Sequence, residues 1–143
     1  MKPIRIRITC TNLPKKQFAG AHILIAEDNE FNQLLISELL SHWGITVSMV
    51  QNGAECLEQL KTSQQPFDLI LMDIQMPVMN GLEATQHIRR KMKMIDIPII
   101  ALTANVMEQD QKKFQKVGMN SFLPKPFDPE QIYHILQQFI KNR

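Results

Sequence analysis

Short apolar runs alternate with amphipathic stretches along most of this chain. The runs are typical of buried strands, and in the longer stretches apolar residues recur every three or four positions, as on one side of a helix. The predicted strands cover residues 22–26, 45–50, 67–73, 97–103 and 121–123. The predicted helices cover residues 29–42, 52–62, 82–91, 105–117 and 129–140.

The repeated order of strand and then helix predicts the class of fold. Such alternation implies right-handed crossovers and a parallel sheet that is covered by helices on both faces. With five strand–helix units, we expect an α/β fold of the flavodoxin-like type. This is a doubly wound (βα)5 three-layer sandwich with strand order 2-1-3-4-5. A closed barrel of such units would need eight of them.

The first twenty residues do not continue this pattern. Residues 4–9 alternate apolar and basic side chains, which predicts a half-exposed strand, and residues 13–17 then break it as a linker does. We interpret residues 1–20 as an N-terminal extension or linker and residues 21–143 as one domain. Residues 1–20 carry a charge of +5, and the remaining chain carries −3, from 11 basic and 14 acidic residues.

The composition of the chain argues against several classes of function and of site. The basic charges of the extension are spread out without aromatic residues between them, which favours a solvated linker over direct binding of nucleic acid. A hydrophobic content of 44% and a charged content of 21% indicate a soluble globular protein, without an apolar stretch of the roughly 20 residues that span a bilayer. Cys10 and Cys56 form no disulfide framework and no zinc-site spacing, so we expect reduced thiols in the cytoplasm.

Polar residues stand at the ends of four predicted strands. Glu27 and Asp28 follow the first strand, Asp73 ends the third, Thr103 ends the fourth, and Lys125 follows the fifth. The carboxyl ends of parallel strands share one edge of the sheet, where the reversal of strand order opens a crevice. Three carboxylates in that crevice repel each other unless a cation intervenes, and a hard divalent ion such as Mg²⁺ suits their oxygen atoms.

The remaining strand-end residues indicate phosphoryl chemistry. An ammonium group from Lys125 and a hydroxyl group from Thr103 can neutralise and hydrogen-bond the oxygens of a phosphoryl group. Asp73 is then the candidate nucleophile, which would form an aspartyl phosphate. The sequence has no glycine-rich phosphate loop, so ATP is not expected as the direct donor.

At these residues the sequence resembles the response-regulator receiver domain, over about residues 21–142. The resemblance rests on four motifs, at residues 23–29, 71–77 (with Gly81), 101–105 and 123–127. Each motif is moderately specific for this family, and the four in this order and spacing are very specific. The first and third motifs look most like those of receivers in hybrid histidine kinases.

The resemblance implies a role for each site residue. Asp73 would be the phosphoacceptor, with Asp28 as a direct metal ligand and Glu27 acting mainly through metal-bound water. The backbone carbonyl of Gln75 would be the third protein ligand of Mg²⁺, and the same set is compatible with Mn²⁺. Glu27 stands where aspartate is commoner, but it keeps the charge.

Further expectations follow from the resemblance for the fourth and fifth strands and for the helices beside them. Thr103 and Lys125 would contact the phosphoryl group, and the peptide bond between Lys125 and Pro126 would be cis. Phe122 matches the aromatic switch position, although it lacks the hydroxyl group of the frequent tyrosine. Phosphorylation would then repack the face made by the fourth helix, the fifth strand and the fifth helix, through which receivers can also dimerise.

The implied function is phosphotransfer from a phosphohistidine, on a histidine kinase or a histidine phosphotransfer protein, to Asp73. The receiver would catalyse only its own phosphorylation and dephosphorylation, whereas a parent hybrid kinase would be a phosphotransferase. In that case residues 4–9 could be the last strand of a preceding kinase domain. We expect a cytoplasmic location, on the cytoplasmic side of the membrane for a membrane-bound parent.

Two other classes of function compete with this one. A metal-dependent phosphatase with an aspartate nucleophile needs a second acid two residues later, where this chain has Gln75. A degenerate receiver that only binds partners is the main alternative, and the retained acidic, threonine and lysine positions argue against it. We interpret Lys112, Lys113 and Lys116 on the fourth helix as a solvated face, with a docking surface for an acidic partner as the minor alternative.

Overall fold

A five-stranded parallel sheet forms the centre of the computed structural model, which describes residues 18–104 and 107–140. The strand order is β2-β1-β3-β4-β5, and all four neighbouring pairs are parallel. This confirms the predicted doubly wound order. The strands are β1 (His22–Ala26), β2 (Thr46–Val50), β3 (Leu69–Asp73), β4 (Ile99–Thr103) and β5 (Ser121–Pro124).

Five helices cover the two faces of this sheet. They are α1 (Glu30–His42), α2 (Gly53–Thr62), α3 (Gly81–Gln86, continued by a π-helical segment, His87–Lys91), α4 (Glu108–Val117) and α5 (Pro129–Phe139). Asn105, the predicted start of the fourth helix, lies outside the described residues. Within residues 18–104 and 107–140, none of the helices combines the length and the apolar character that a bilayer crossing needs.

Alternate residues of the central strands point to opposite faces, and this builds two separate cores. On β1, Ile23 and Ile25 pack with α1 and α5, whereas Leu24 and Ala26 pack with α2, α3 and α4. Every residue of β1, β3 and β4 is buried, as expected for strands that are covered on both faces. The protein therefore has three layers, with the sheet in the middle.

An aromatic cluster ties the start of the described chain to the core on the α1 and α5 side. The ring of Phe18 lies 6.3 Å from that of Trp43 and 5.6 Å from that of Tyr133, centre to centre. Phe18 falls within the segment predicted as an extension, yet it is buried. Residues 1–17, including the strand predicted at 4–9, lie outside the described residues, and the domain boundary near residue 20 stays a prediction.

The start of α3 is pressed against the end of β3. Gly81 N donates a hydrogen bond to Ile74 O at 3.0 Å, and Asn80 and Glu83 form a reciprocal capping box at the helix start. A Cβ atom on Gly81 would meet the carbonyl oxygen of Asp73. Only glycine therefore lets the helix approach the strand end this closely, and the approach holds the backbone of Asp73 in place.

We expect Gly81→Ala to lower the free energy of unfolding by about 1–3 kcal/mol, because the added methyl group overpacks the contact with Asp73. Urea unfolding of the wild type and the variant measures this change. Gln86→Ala is the control on the same helix, since Gln86 is exposed and its truncation should change stability by less than about 0.5 kcal/mol. Equal stability of Gly81→Ala and the wild type would contradict the close contact.

Candidate functional site

Five polar residues predicted from the strand ends line one cleft of about 380 Å³. It opens at the carboxyl edge of the sheet, above β1, β3, β4 and β5. These residues come from four separate segments of the chain, and the parallel sheet brings them together. They are Glu27, Asp28, Asp73, Thr103 and Lys125.

Asp73 is the last residue of β3 and is almost fully buried, with 4% of its surface exposed. The backbone beyond it is held by β4, because Ile74 N donates a hydrogen bond to Leu102 O at 3.1 Å. Gln75 N donates to the Asp73 carboxylate, at 3.3 Å from Oδ1. The Asp73 side chain therefore has a defined position at the floor of the cleft.

Lys125 joins the buried carboxylates. Its backbone N–H donates to Thr103 O at 2.8 Å, and its peptide bond with Pro126 is cis, as the resemblance predicts. The ammonium nitrogen lies 3.2 Å from Asp73 Oδ1 and 3.2 Å from Glu27 Oε1. One positive charge is therefore shared by two buried negative charges.

Glu27 is fully buried, and its two carboxylate oxygens have different surroundings. Oε2 accepts a hydrogen bond from Asn29 N at 3.1 Å and a longer one from Asn32 Nδ2 at 3.5 Å. Oε1 faces the Lys125 ammonium but accepts no well-aligned hydrogen bond from the described residues. An oxygen in this condition is suited to a further positive partner.

The carboxylates are close enough to hold a metal ion. Glu27, Asp28 and Asp73 each offer one oxygen, and these three oxygens lie within 4.8 Å of one another. Asp28 is exposed, so the group is open to solvent on one side. Gln75, the predicted carbonyl ligand, also lines the cleft. A set of hard oxygen donors that includes Oε1 of Glu27, which accepts no well-aligned hydrogen bond from the described residues, fits a hard divalent cation with retained waters.

The pKa of Asp73 is raised by its burial and by the negative charge beside it. Burial, and after it the charge of Glu27, raises the pKa from 3.8 to about 7, and the Lys125 ammonium only partly opposes this rise. Without a further cation, protonated and charged forms of Asp73 are therefore both populated near neutral pH. Added positive charge in the cleft favours the carboxylate form.

A second concave surface, which we call the α4–β5 groove, adjoins the cleft. Phe122 lies in it and is half-buried, paired with Ala101 across β5 and β4. Thr103 is buried and lines the cleft instead. Phe114 of α4 lines both the cleft and the groove. Phe114 thus lies between the predicted phosphoryl site and the predicted switch residue.

Sequence reasoning missed several residues around the site. Asn32 and Gln33 of α1 hold Glu27, since the Gln33 amide donates to the Glu27 carbonyl oxygen in addition to the Asn32 contact. Asp110 and Lys113 of α4 line the cleft. Helix periodicity alone gave no signal for these polar residues. Additional residues of the lining are Ile74, Leu82 and Ala104.

A family model for the response regulator receiver domain matches residues 23–137. The chain is 40% identical, over 84% of its length, to hybrid signal transduction histidine kinase I of Dictyostelium discoideum. It is 37% identical, over 87% of its length, to transcription factor SKN7 of Saccharomyces cerevisiae. The matched region is only 7% and 19% of those two proteins, so the chain corresponds to a small part of each relative.

Solved structures of receiver domains also resemble this chain. The receiver domain of a sensor histidine kinase from Pseudomonas aeruginosa, with a magnesium ion in its active-site cleft, is 39% identical with a TM-score of 0.76. That match covers 85% of this chain and 98% of the other. The receiver domain of Saccharomyces cerevisiae Ssk1, solved with the histidine phosphotransfer protein Ypd1, is 29% identical with a TM-score of 0.77, over 83% of this chain and 88% of the other.

The family match over most of the chain and the likeness to solved receiver domains lead to one classification. This chain belongs to the response regulator receiver domain family, whose members serve two-component and phosphorelay signalling.

Proposed function

We propose that Asp73 is the phosphoacceptor of this receiver domain. The observation that carries the proposal is the position of the Lys125 ammonium, 3.2 Å from Asp73 Oδ1 in a cleft that three carboxylates share. The donor would be a phosphohistidine on a histidine kinase or a histidine phosphotransfer protein. The solved complex of the related Ssk1 receiver with Ypd1 supports this class of partner.

In this reaction a carboxylate oxygen of Asp73 attacks the phosphorus atom. The bond between phosphorus and the donor nitrogen breaks, and the imidazole leaves with the electron pair and takes up a proton. Lys125 would neutralise the phosphoryl oxygens, and the Thr103 hydroxyl would donate a hydrogen bond to one of them. Later attack of water on the aspartyl phosphate returns Asp73 and releases phosphate.

Four groups would hold the metal ion: the carboxylates of Glu27, Asp28 and Asp73 and the backbone carbonyl of Gln75. Bound Mg²⁺ would supply positive charge to the phosphoryl oxygens and keep Asp73 in its charged form. The magnesium ion in the related receiver from Pseudomonas aeruginosa supports this choice of metal. The oxygen ligands also suit Mn²⁺.

The readout would pass through Thr103 and Phe122. A phosphoryl group on Asp73 adds charge and acceptor oxygens close to the Thr103 hydroxyl, which draws that side chain inward. The space that it vacates would be filled by Phe122, and the face of α4, β5 and α5 would repack. Because phenylalanine has no hydroxyl group, this step depends on packing alone. We propose the same face as the dimer contact.

The whole protein is proposed to be a hybrid histidine kinase, in which this receiver is one part. The support is the match to hybrid kinases, including the sensor kinase GacS of Pseudomonas protegens at 37% identity over 80% of this chain. The receiver would then lie in the cytoplasm, next to the membrane where the parent kinase is membrane-bound. Residues 1–20 would connect it to the preceding kinase domain.

We expect Asp73→Asn to abolish alkali-labile, hydroxylamine-sensitive labelling from a phosphohistidine donor, because the amide cannot accept the phosphoryl group. Labelling is followed with a ³²P-phosphorylated kinase domain and Mg²⁺. Asp96→Asn is the matched control, since Asp96 is an exposed aspartate outside the cleft and its loss should leave labelling unchanged.

Equal labelling of Asp73→Asn and the wild type would refute the site assignment. Beryllofluoride with Mg²⁺ distinguishes a phosphoacceptor from the remaining alternative, which is a module that binds partners without phosphorylation. A phosphoacceptor responds to it with chemical-shift changes at Thr103 and Phe122 in NMR spectra. A protein that binds its partner equally well with and without beryllofluoride is the degenerate receiver.

The raised pKa of Asp73 predicts the pH dependence of stability in the metal-free protein. The folded carboxyl keeps its proton up to about pH 7, whereas the unfolded one releases it near 3.8. This group therefore favours folding at low pH, and the contribution is lost progressively as pH rises from about 3.8 to about 7. Urea unfolding with a chelator should show that Asp73→Asn stabilises the protein more at pH 8 than at pH 5.

Mg²⁺ provides the control for that measurement. At pH 8 it should raise the free energy of unfolding of the wild type, because it binds only the folded carboxylates, and it should raise that of Asp73→Asn much less. A wild type and a variant with parallel pH profiles would show that Asp73 does not carry the excess of buried charge.

A further inference from the structure

The helix α4 forms one wall of the cleft with a single face. Asp110, Lys113 and Phe114 all line the cleft, and their spacing of three and four residues places them on the same side of a helix. Phe114 is buried at the bottom of this wall, and Lys113 is exposed. Lys113 thus stands at the mouth of the cleft, above its apolar side.

The neighbouring lysine faces another surface. Lys112 lines the α4–β5 groove together with Glu108, Gln111 and Gln115, which again follow helical spacing. Lys112 and Lys113 are adjacent, exposed and equally charged, but they border different concave surfaces. Two of the three lysines of the solvated face that the sequence indicates therefore border different sites.

The lining of the cleft carries more negative than positive charge, and Lys113 is one of its two ammonium groups. The lining contains four carboxylates, those of Glu27, Asp28, Asp73 and Asp110, and two ammonium groups. Lys125 already pairs with two of these carboxylates at 3.2 Å. A phosphoryl donor carries close to two negative charges at neutral pH, so an acidic cleft repels it as it approaches.

Lys113 is available to oppose this repulsion. Across the described ranges 18–104 and 107–140, its ammonium nitrogen forms no ion pair within 4.0 Å. We propose, on the basis of the phosphoacceptor function above, that Lys113 recruits the phosphoryl donor. Its ammonium group attracts the anionic phosphoryl oxygens at the mouth of the cleft. The phosphoryl group then moves to Asp73 at the floor of the cleft, where Lys125 and the metal ion would neutralise the rest of its charge.

Acetyl phosphate with saturating Mg²⁺ is the probe. It is a small-molecule phosphoryl donor, so its reaction does not depend on docking between the surfaces of two proteins. A carboxylate oxygen of Asp73 attacks phosphorus, the bond to the acetyl oxygen breaks, and acetate leaves with the electron pair. We expect Lys113→Gln to lower the second-order rate constant of phosphorylation by about threefold to tenfold, with a shallower dependence on ionic strength. Lys113→Arg should retain most of the rate.

Two further variants test the assignment to this residue. Lys112→Gln removes the same charge from the adjacent position and should change the rate by less than about 1.5-fold, since its charge lies outside the cleft. Asp110→Asn should raise the rate, because it removes a negative charge from the same wall. Mg²⁺ affinity of Lys113→Gln should be unchanged or tighter, which a damaged fold would not produce.

The outcomes are distinct. Equal rates for Lys113→Gln and the wild type, or equal losses for Lys113→Gln and Lys112→Gln, overturn the recruiting role while the phosphoacceptor function stands. A wild-type protein that takes no phosphoryl group onto Asp73 overturns both. A slower Lys113→Gln with a normal Lys112→Gln and an intact Mg²⁺ affinity establishes the role.

Discussion

Three carboxylates and one shared ammonium group impose the main constraint on this structure. Glu27 and Asp73 are both removed from water, and each lies 3.2 Å from the same Lys125 nitrogen. Burial and, after it, the neighbouring charge of Glu27 raise the pKa of Asp73, and the single Lys125 ammonium only partly opposes this rise. The site therefore holds more negative than positive charge, and its three carboxylate oxygens lie close enough together that they could hold a metal ion.

The sheet holds these charges together through its strand order. Ala26 and Met72 are partners across β1 and β3, so the residues that follow them, Glu27 and Asp73, emerge side by side. Lys125 is returned to the same edge by its backbone hydrogen bond to the end of β4. Extended backbone and ladder hydrogen bonds fix these positions, which explains why a charged cluster can persist at the end of an apolar core.

Sequence reasoning predicted the strand order and the residues at the strand ends, because both depend on local alternation and on a general property of parallel sheets. It could not predict how each helix is rotated about its axis. Lys112 and Lys113 look identical in sequence, yet packing of Phe114 turns one to the groove and the other to the cleft. The support of Glu27 by Asn32 was hidden for the same reason.

Phe114 gives the structure a property that neither concave surface has alone. It is a buried wall of the cleft and of the α4–β5 groove at once, so a change in its position alters the shape of both. Free-energy coupling between two binding sites is reciprocal. A partner that fills the groove and immobilises Phe114 would therefore change the affinity of the cleft for its ligands, by the same factor as those ligands change the affinity of the groove for the partner.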